Sequence, residues 1–427
     1  MTALIVTAVA AVLLLLRVPV GFALLLSSMG YIAFASPTSM TAAVERLISS
    51  LNGFTLLAIP LFILVGCITD QAGMADRIFD AANRLVGRVR GSLGYVNVTA
   101  SLGFSWMSGA AVSDVAVMST VMTPQMQKRG YSNKFIAGVT GASSLVTPMM
   151  PPSIPAIVFG VASGVSIGAL FTATIVPAAI LVVVLLLAVW FFTRKRDDLR
   201  RTGKPGSDEK AWKIYGRIIP VALAPVIILG GILGGFFTPT EAAAVAATYL
   251  LIISMVFYRS MNVSKLINAL RTTFSTTASI LFLVAASSLF GWVLTMERVP
   301  QLVGEAVMAI SDNPTIYMLL SVAVLLLIGM VMEPTSAILI TTPVLFPIAL
   351  ELGIDPVHYG VVLIFTLLIG MMTPPIGLVL FVMESVTTMK SKEIIAGIMP
   401  FVALFVGVAI LLVFVPQLSL WLPGLLD

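Results

Sequence analysis

Thr147-Pro148-Met149-Met150-Pro151-Pro152 and Thr373-Pro374-Pro375-Ile376-Gly377 interrupt two long apolar segments, at about 135–165 and 357–385. Proline cannot donate the helical hydrogen bond and clashes with the preceding turn. Each stretch therefore predicts a membrane helix opened near the middle of the bilayer. Broken helices at matching places in two halves of a chain mark a binding site between the halves. Ser108 precedes Thr147 by the same interval that separates Pro334 from Thr373, so the halves share a register.

Composition sets the solvent. The chain has 427 residues, of which 59% are hydrophobic and 10% charged. Soluble domains carry roughly 25% charge. Mean hydropathy is +1.08, which predicts an all-α polytopic membrane protein. The net charge of +5 fits cytoplasmic loops rich in Lys and Arg better than a nucleic-acid partner. The single histidine, His358, reads as part of a polar loop, and the single cysteine, Cys67, as packing. One of each excludes a His-based triad or a Cys/His zinc site, and no enzyme is expected.

Apolar segments fall at about 3–16, 18–36, 52–70, 135–165 and 168–193, then at 216–235, 238–258, 274–295, 357–385 and 394–416. The segments 91–127 and 314–350 are interrupted by Gly, Ser and Pro near their middles and read as re-entrant helical hairpins. Amphipathic stretches at 40–51, 73–90 and 260–272 read as lying along the interface. The N-terminal apolar run lacks a preceding basic residue and is followed by Arg17, so it reads as a first helix entering from outside. This layout puts all but Arg46 and Arg298 of the 24 basic residues on the cytoplasmic side, as the positive-inside rule requires. Both termini are then periplasmic.

The charged stretch 194–215 divides the chain into residues 1–193 and 216–427. Each part carries five crossings and one hairpin. Five is odd, so the second half is inserted upside down, giving two inverted repeats whose hairpin tips meet near the midplane.

Unwound carbonyls and hydroxyls are hard oxygen donors suited to Na⁺, and helix N-termini suit an anionic group. The first cation half-site draws on Ser105, Ser108, Gly109, Ser143, Ser144 and Thr147. The second draws on Glu333, Thr335, Gly370, Thr373 and Pro374. Ser105, Ser108, Ser153, Glu333 and Thr373 are the substrate-side candidates. Membrane hydroxyls more often bond neighbouring carbonyls, which leaves each single residue with a structural reading too. Intramembrane acids are costly and default to function. Asp114 and Glu241 nevertheless read as structural acids, one ordering the first hairpin and one capping a helix. Glu384 reads as an acid near an interface.

Phe236-Phe237-Thr238-Pro239-Thr240-Glu241-Ala242-Ala243-Ala244-Val245-Ala246 resembles a hallmark of the large membrane subunit of tripartite ATP-independent periplasmic (TRAP) transporters. Ala58-Ile59-Pro60-Leu61-Phe62-Ile63-Leu64-Val65-Gly66, the Ser-Gly hairpin ending in Asp114 and Met150-Pro151-Pro152-Ser153 are similar to that family. So is Gly329 through Leu339 with the Thr-Pro-Pro-Ile-Gly break. The chain departs from it at Ala110-Ala111, where members often carry small hydroxyl residues, and at Glu333, where many carry Asp. The resemblance implies a bacterial inner-membrane importer of an organic acid, such as a C4-dicarboxylate or sialic acid. It implies Na⁺ as the coupling ion, no other cofactor, and an elevator motion. It also implies a small four-helix membrane partner and a periplasmic substrate-binding protein. A stand-alone Na⁺/dicarboxylate symporter of the same inverted-repeat type is the alternative.

Overall fold

The computed structural model describes residues 2–36, 38–86, 89, 91–194, 211–308 and 311–425. The first half runs through α1 (Thr2–Leu15), α2 (Val20–Phe34), α3 (Met40–Ser49), α4 (Ala58–Gln71) and α5 (Met74–Val86). A hairpin of α6 (Ser92–Ser108) and α7 (Ala111–Lys128) follows. Then come the broken helix α8 (Asn133–Ser143), α9 (Val146–Met149) and α10 (Ile154–Ser163), and α11 (Ile167–Thr193). The second half opens with α12 (Ala211–Leu233), α13 (Pro239–Ile252), α14 (Val263–Met296) and α15 (Val299–Met308). A second hairpin, α16 (Pro314–Gly329) and α17 (Pro334–Glu351), precedes the broken helix α18 (Pro356–Met371) and α19 (Leu378–Val386). The chain continues through α20 (Ser391–Phe414) and α21 (Gln417–Leu420).

Polarity is sorted as a bilayer demands. Leu15 and Phe34 are 83% and 93% exposed, while Asn97, Ser101 and Ser143 are fully buried. In lipid, apolar side chains face out and polar groups must find partners inside. Among the described residues, six helices are long and apolar enough to span a membrane, and the pair Asn133–Met149 and Ile154–Ser163, bent by 45°, makes a seventh. Shorter apolar helices include Val20–Phe34, Pro314–Gly329 and Pro356–Met371.

The breaks follow from local chemistry. A residue before proline is pushed out of the helical region, and Met150, preceding Pro151, is extended at φ −81° and ψ 136°. Ser153 restarts the chain as the N-cap of α10, accepting from the Ala156 N–H at 3.2 Å. Pro374 and Pro375 end the second broken helix, and Gly377, at φ +41°, begins α19. The Pro151–Pro152 and Pro374–Pro375 bonds are both cis.

Two helix groups emerge. α4 packs on α13 and α14, α2 packs on α1 and α14, and α12 packs on α13. The other group joins α8 to α20, α16 to α18, α10 to α17 and α19 to α7, so the hairpins and broken helices interlock. α14 meets this second group through α17, and α5 touches both α6 and α12. At the heart of the second group α16 crosses α18 glycine on glycine: a Cβ added to Gly370 would stand 2.5 Å from the Gly329 Cα.

Several boundaries differ from the sequence reading. The stretch 260–272 is no separate interfacial helix: it is continuous with 274–295 in the 34-residue α14. At 1.5 Å per residue this helix is about 50 Å long and outruns a hydrocarbon core of about 30 Å, so its first turns stay polar while it remains one rod. α12 begins at Ala211, inside the stretch read as linker, and the rest of that linker, 195–210, lies outside the described residues. α15 was not foreseen. His358 is in no loop: Asp355 caps α18, which buries His358 in its first turn with Nδ1 at 2.6 Å from the Ser419 Oγ.

Candidate functional site

Each hairpin tip meets the break of its own half. Gly109 turns the first tip at φ +61°, and a Cβ there would stand 3.2 Å from the Pro152 carbonyl oxygen. The left-handed φ and that approach both require glycine. At the second tip the Gly377 N–H donates to the Met330 carbonyl at 3.0 Å.

A buried polar network ties α6 to the first broken helix. Asn97 Nδ2 donates to Thr140 Oγ1 at 2.7 Å, and Ser143 Oγ donates to Asn97 Oδ1 at 2.9 Å. Ser101 Oγ donates to Ser143 Oγ at 3.1 Å, and Thr147 Oγ1 reaches the Ser101 carbonyl at 3.4 Å. Asp114 lies beside this network in the first turn of α7, where the helix dipole favours an anion. It is 3% exposed, and the Ser101 and Thr147 hydroxyls lie near it. Yet neither carboxylate oxygen takes a well-formed hydrogen bond. Buried polar groups are normally paired, so this carboxylate is set apart from the structural hydroxyls.

Glu333 is the N-cap of α17. Its Oε2 accepts from the Ser336 N–H at 3.2 Å and its Oε1 from the Thr335 hydroxyl at 2.7 Å. Thr335 thereby serves the carboxylate. The other hydroxyls are committed to local carbonyls: Ser105 to Leu102 at 2.6 Å, Ser144 to Gly141 at 2.8 Å, Ser153 to Pro148 at 2.5 Å and Thr373 to Ile369 at 2.8 Å. The Ser108 side chain lies outside the described residues.

Between the tips lies a cavity of about 320 Å³. Gly109, Ala110 and Ala111 line one side, Glu333 and Thr335 another, and Thr276 and Ser279 of α14 a third. Of the expected substrate-side residues with described side chains, Glu333 lines it; Ser105, Ser153 and Thr373 do not. Thr147 lies near Asp114 and Ser143 joins the same network through Ser101, Ser144 is buried on the Gly141 carbonyl, and Gly370 and Pro374 stay with the second break. α7 begins here with Ala110 as N-cap and no side-chain cap, so its first N–H groups end at the cavity. Glu241, by contrast, closes a capping box with Thr238, as expected: its Oε2 accepts from the Thr238 N–H at 2.8 Å. Glu384 accepts from the Ser391 hydroxyl at 2.5 Å.

α14 was missed as a site element. A cavity of about 270 Å³, reaching Asp70 and Asp114, is lined by Thr272 and Thr276. The central cavity takes Thr276, Ser279 and Leu283, and a third of about 510 Å³ takes Val284, Ser287, Ser288 and Thr295. At about 3.6 residues per turn Thr272, Thr276, Ser279 and Leu283 fall on one face, and Val284, Ser287, Ser288 and Thr295 on an adjoining face centred roughly 100° further round. The first two cavities share Ala110, Ile154 and Thr276; the central and third share no residue. The periodic Ser/Thr stripe was the available signal, obscured once the helix was split at 273. A larger cavity of about 630 Å³ among α5, α6 and α12 is almost wholly apolar. Among the described residues no three His, Cys, Asp or Glu side chains are grouped to hold a metal ion.

Residues 7–418 match the model of the tripartite ATP-independent periplasmic transporter, DctM component. The chain belongs to this family. It is 38% identical over 414 residues to the Vibrio cholerae sialic acid TRAP transporter large permease protein SiaM, covering 97% of this chain and 96% of that one. It is 37% identical to the Escherichia coli 2,3-diketo-L-gulonate TRAP transporter large permease protein YiaN, covering 94% of each. It is 36% identical to the Pseudomonas aeruginosa C4-dicarboxylate TRAP transporter large permease protein DctM, covering 91% of each. A solved transporter, YdaH of Alcanivorax borkumensis, shares the fold with a TM-score of 0.65 at 16% identity, covering 97% of this chain and 98% of that chain. As a TRAP large permease the chain is a multi-pass inner-membrane transport protein.

Proposed function

We propose that this TRAP permease imports an organic acid by Na⁺-coupled elevator transport. In this reading a periplasmic binding protein delivers the acid, and a small four-helix subunit braces the α1–α4 and α12–α14 frame. The observation that carries the reading is the central cavity, placed where both tips and both breaks converge on α14. The interlocked hairpins and broken helices form the moving block, and the chain is two inverted repeats about this site. The three similar permeases are named for sialic acid, 2,3-diketo-L-gulonate and C4-dicarboxylates, all carboxylates.

The two tips divide the work by electrostatics. The uncapped α7 N-terminus offers open N–H donors and the positive end of a helix dipole, and it takes the substrate carboxylate. Glu333 already fills the α17 N-terminus and would repel a carboxylate, so it orients substrate hydroxyls or holds a cation. Asp114, with Ser101 and Thr147, supplies hard oxygen for the first Na⁺; carbonyls near Gly370 and Thr373 serve the second. Binding Na⁺ neutralises the buried Asp114 charge and so makes the loaded block cheaper to move through lipid.

Proteoliposomes holding the permease with its membrane and periplasmic partners test the coupling. Uptake of a labelled carboxylate should require an inward Na⁺ gradient. Full uptake on a proton gradient without Na⁺ refutes it, and uptake by this chain alone would establish the stand-alone carrier instead.

A further inference from the structure

The third cavity along α14 lies at the opposite end from Asp70 and Thr272, beside Arg46. We infer that it is a second carboxylate site, holding substrate on the outer side before the central site admits it. The inference rests on the organic-acid reading above and adds a separate place and separate residues.

Arg46 is the one charged residue lining this cavity among the described residues, and it is exposed on α3. By the charge count it is one of two basic residues on the outer side. A guanidinium pairs with a carboxylate through two parallel hydrogen bonds. A lone Arg in a mostly uncharged cavity therefore selects an anion and disfavours Na⁺.

The second observation is independent. Membrane Ser and Thr hydroxyls normally return their proton to a carbonyl of the preceding turn. Thr295 does so to Gly291 at 2.8 Å, and Ser163 to Phe159 at 2.7 Å, both at this cavity. Ser287 and Thr342, also lining it, are 2% and 1% exposed, and neither hydroxyl has a partner. Buried hydroxyls without partners are rare; both oxygens are covered as they stand, and a χ1 rotation, which costs neither a hydrogen bond, is what would turn them to a carboxylate or sugar hydroxyl in the cavity. Its volume of about 510 Å³ is within the usual range for small-ligand sites, about 300–1,000 Å³. Trp292 supplies an apolar wall for the carbon skeleton. Leu283 faces the central cavity and Val284 this one, so an occupant here is not the occupant there.

The test is a titration of the full chain in nanodiscs with N-acetylneuraminate and with succinate, reading tryptophan fluorescence, with Trp292→Phe as the optical control. A Glu333→Gln protein, its central site altered, should keep a saturable Trp292-dependent change of parental affinity without Na⁺. Arg46→Gln should weaken it at least about tenfold, and Ser287→Ala or Thr342→Ala each about threefold or more. Arg46→Gln binding as tightly as the parent would overturn the inference. So would a change that disappears in Glu333→Gln but survives in Arg46→Gln, or no Trp292-dependent change with either probe. Uptake by the parent in the Na⁺-gradient assay is read separately, so failure of the outer site and failure of the transport reading are distinguishable.

Discussion

Substituting Gly370 by alanine probes the joint beside the proposed second half-site. An ideal Cβ at Gly370 stands 2.5 Å from the Gly329 Cα, 2.6 Å from its carbonyl carbon and 3.0 Å from the Leu326 oxygen. Ordinary contact begins at 3.4 Å, so α16 and α18 must separate by roughly 1 Å, and backbone rather than a flexible side chain has to move. Overpacking of this kind costs about 1–3 kcal/mol. Gly407 in α20 is the control: nothing lies within 4 Å of its added Cβ. Alanine there removes a glycine from a helix interior and should stabilise by about 0.5–1 kcal/mol. The two substitutions thus differ in sign although their chemistry is identical. Thermal unfolding of the purified proteins, with and without Na⁺, reads the difference. Gly370→Ala should unfold earlier than the parent and lose part of its Na⁺-induced stabilisation, because the shift also moves the Gly370 carbonyl. Gly370→Ala unfolding at or above the parent, with its Na⁺ response intact, would show that the close crossing does not hold the site.

Asp114→Asn preserves volume and removes the charge, and should raise the Na⁺ concentration for half-maximal stabilisation about tenfold, a loss of about 1.4 kcal/mol; an unchanged Na⁺ dependence would take Asp114 out of the cation site. Orientation is open to labelling because Cys67 is the one cysteine of the chain. In a Cys67→Ser protein, an impermeant maleimide should label Asp312→Cys from the periplasm and Lys128→Cys only after the membrane is opened; the reverse pattern would invert the topology.

Much of the architecture is legible without coordinates because its causes are local. The helix pairs α6–α7 and α16–α17 span Ser92–Lys128 and Pro314–Glu351, each broken where Gly, Ser and Pro interrupt the apolar pattern. Both proline stretches open their helices where proline chemistry requires. The Thr238–Glu241 capping box was readable from spacing alone. The site was less legible. Ser105, Ser153 and Thr373 have the right chemistry, but their hydroxyls turn back to carbonyls three to five residues away, and none of the three lines the central cavity. Rotamer choice on a helix is set by neighbours in space, which sequence spacing does not contain.

The sequence by itself determined a membrane-embedded helical chain, its two hairpins, its two breaks and its family, since hydrophobic periodicity, proline and motif spacing act within one or two turns. Only the tertiary structure decided that α14 is a single rod whose successive turns line three cavities. It also decided that the Ser287 and Thr342 hydroxyls are buried without partners and that the buried Asp114 takes no well-formed hydrogen bond. Those properties depend on which helix faces meet, and packing between distant segments sets that.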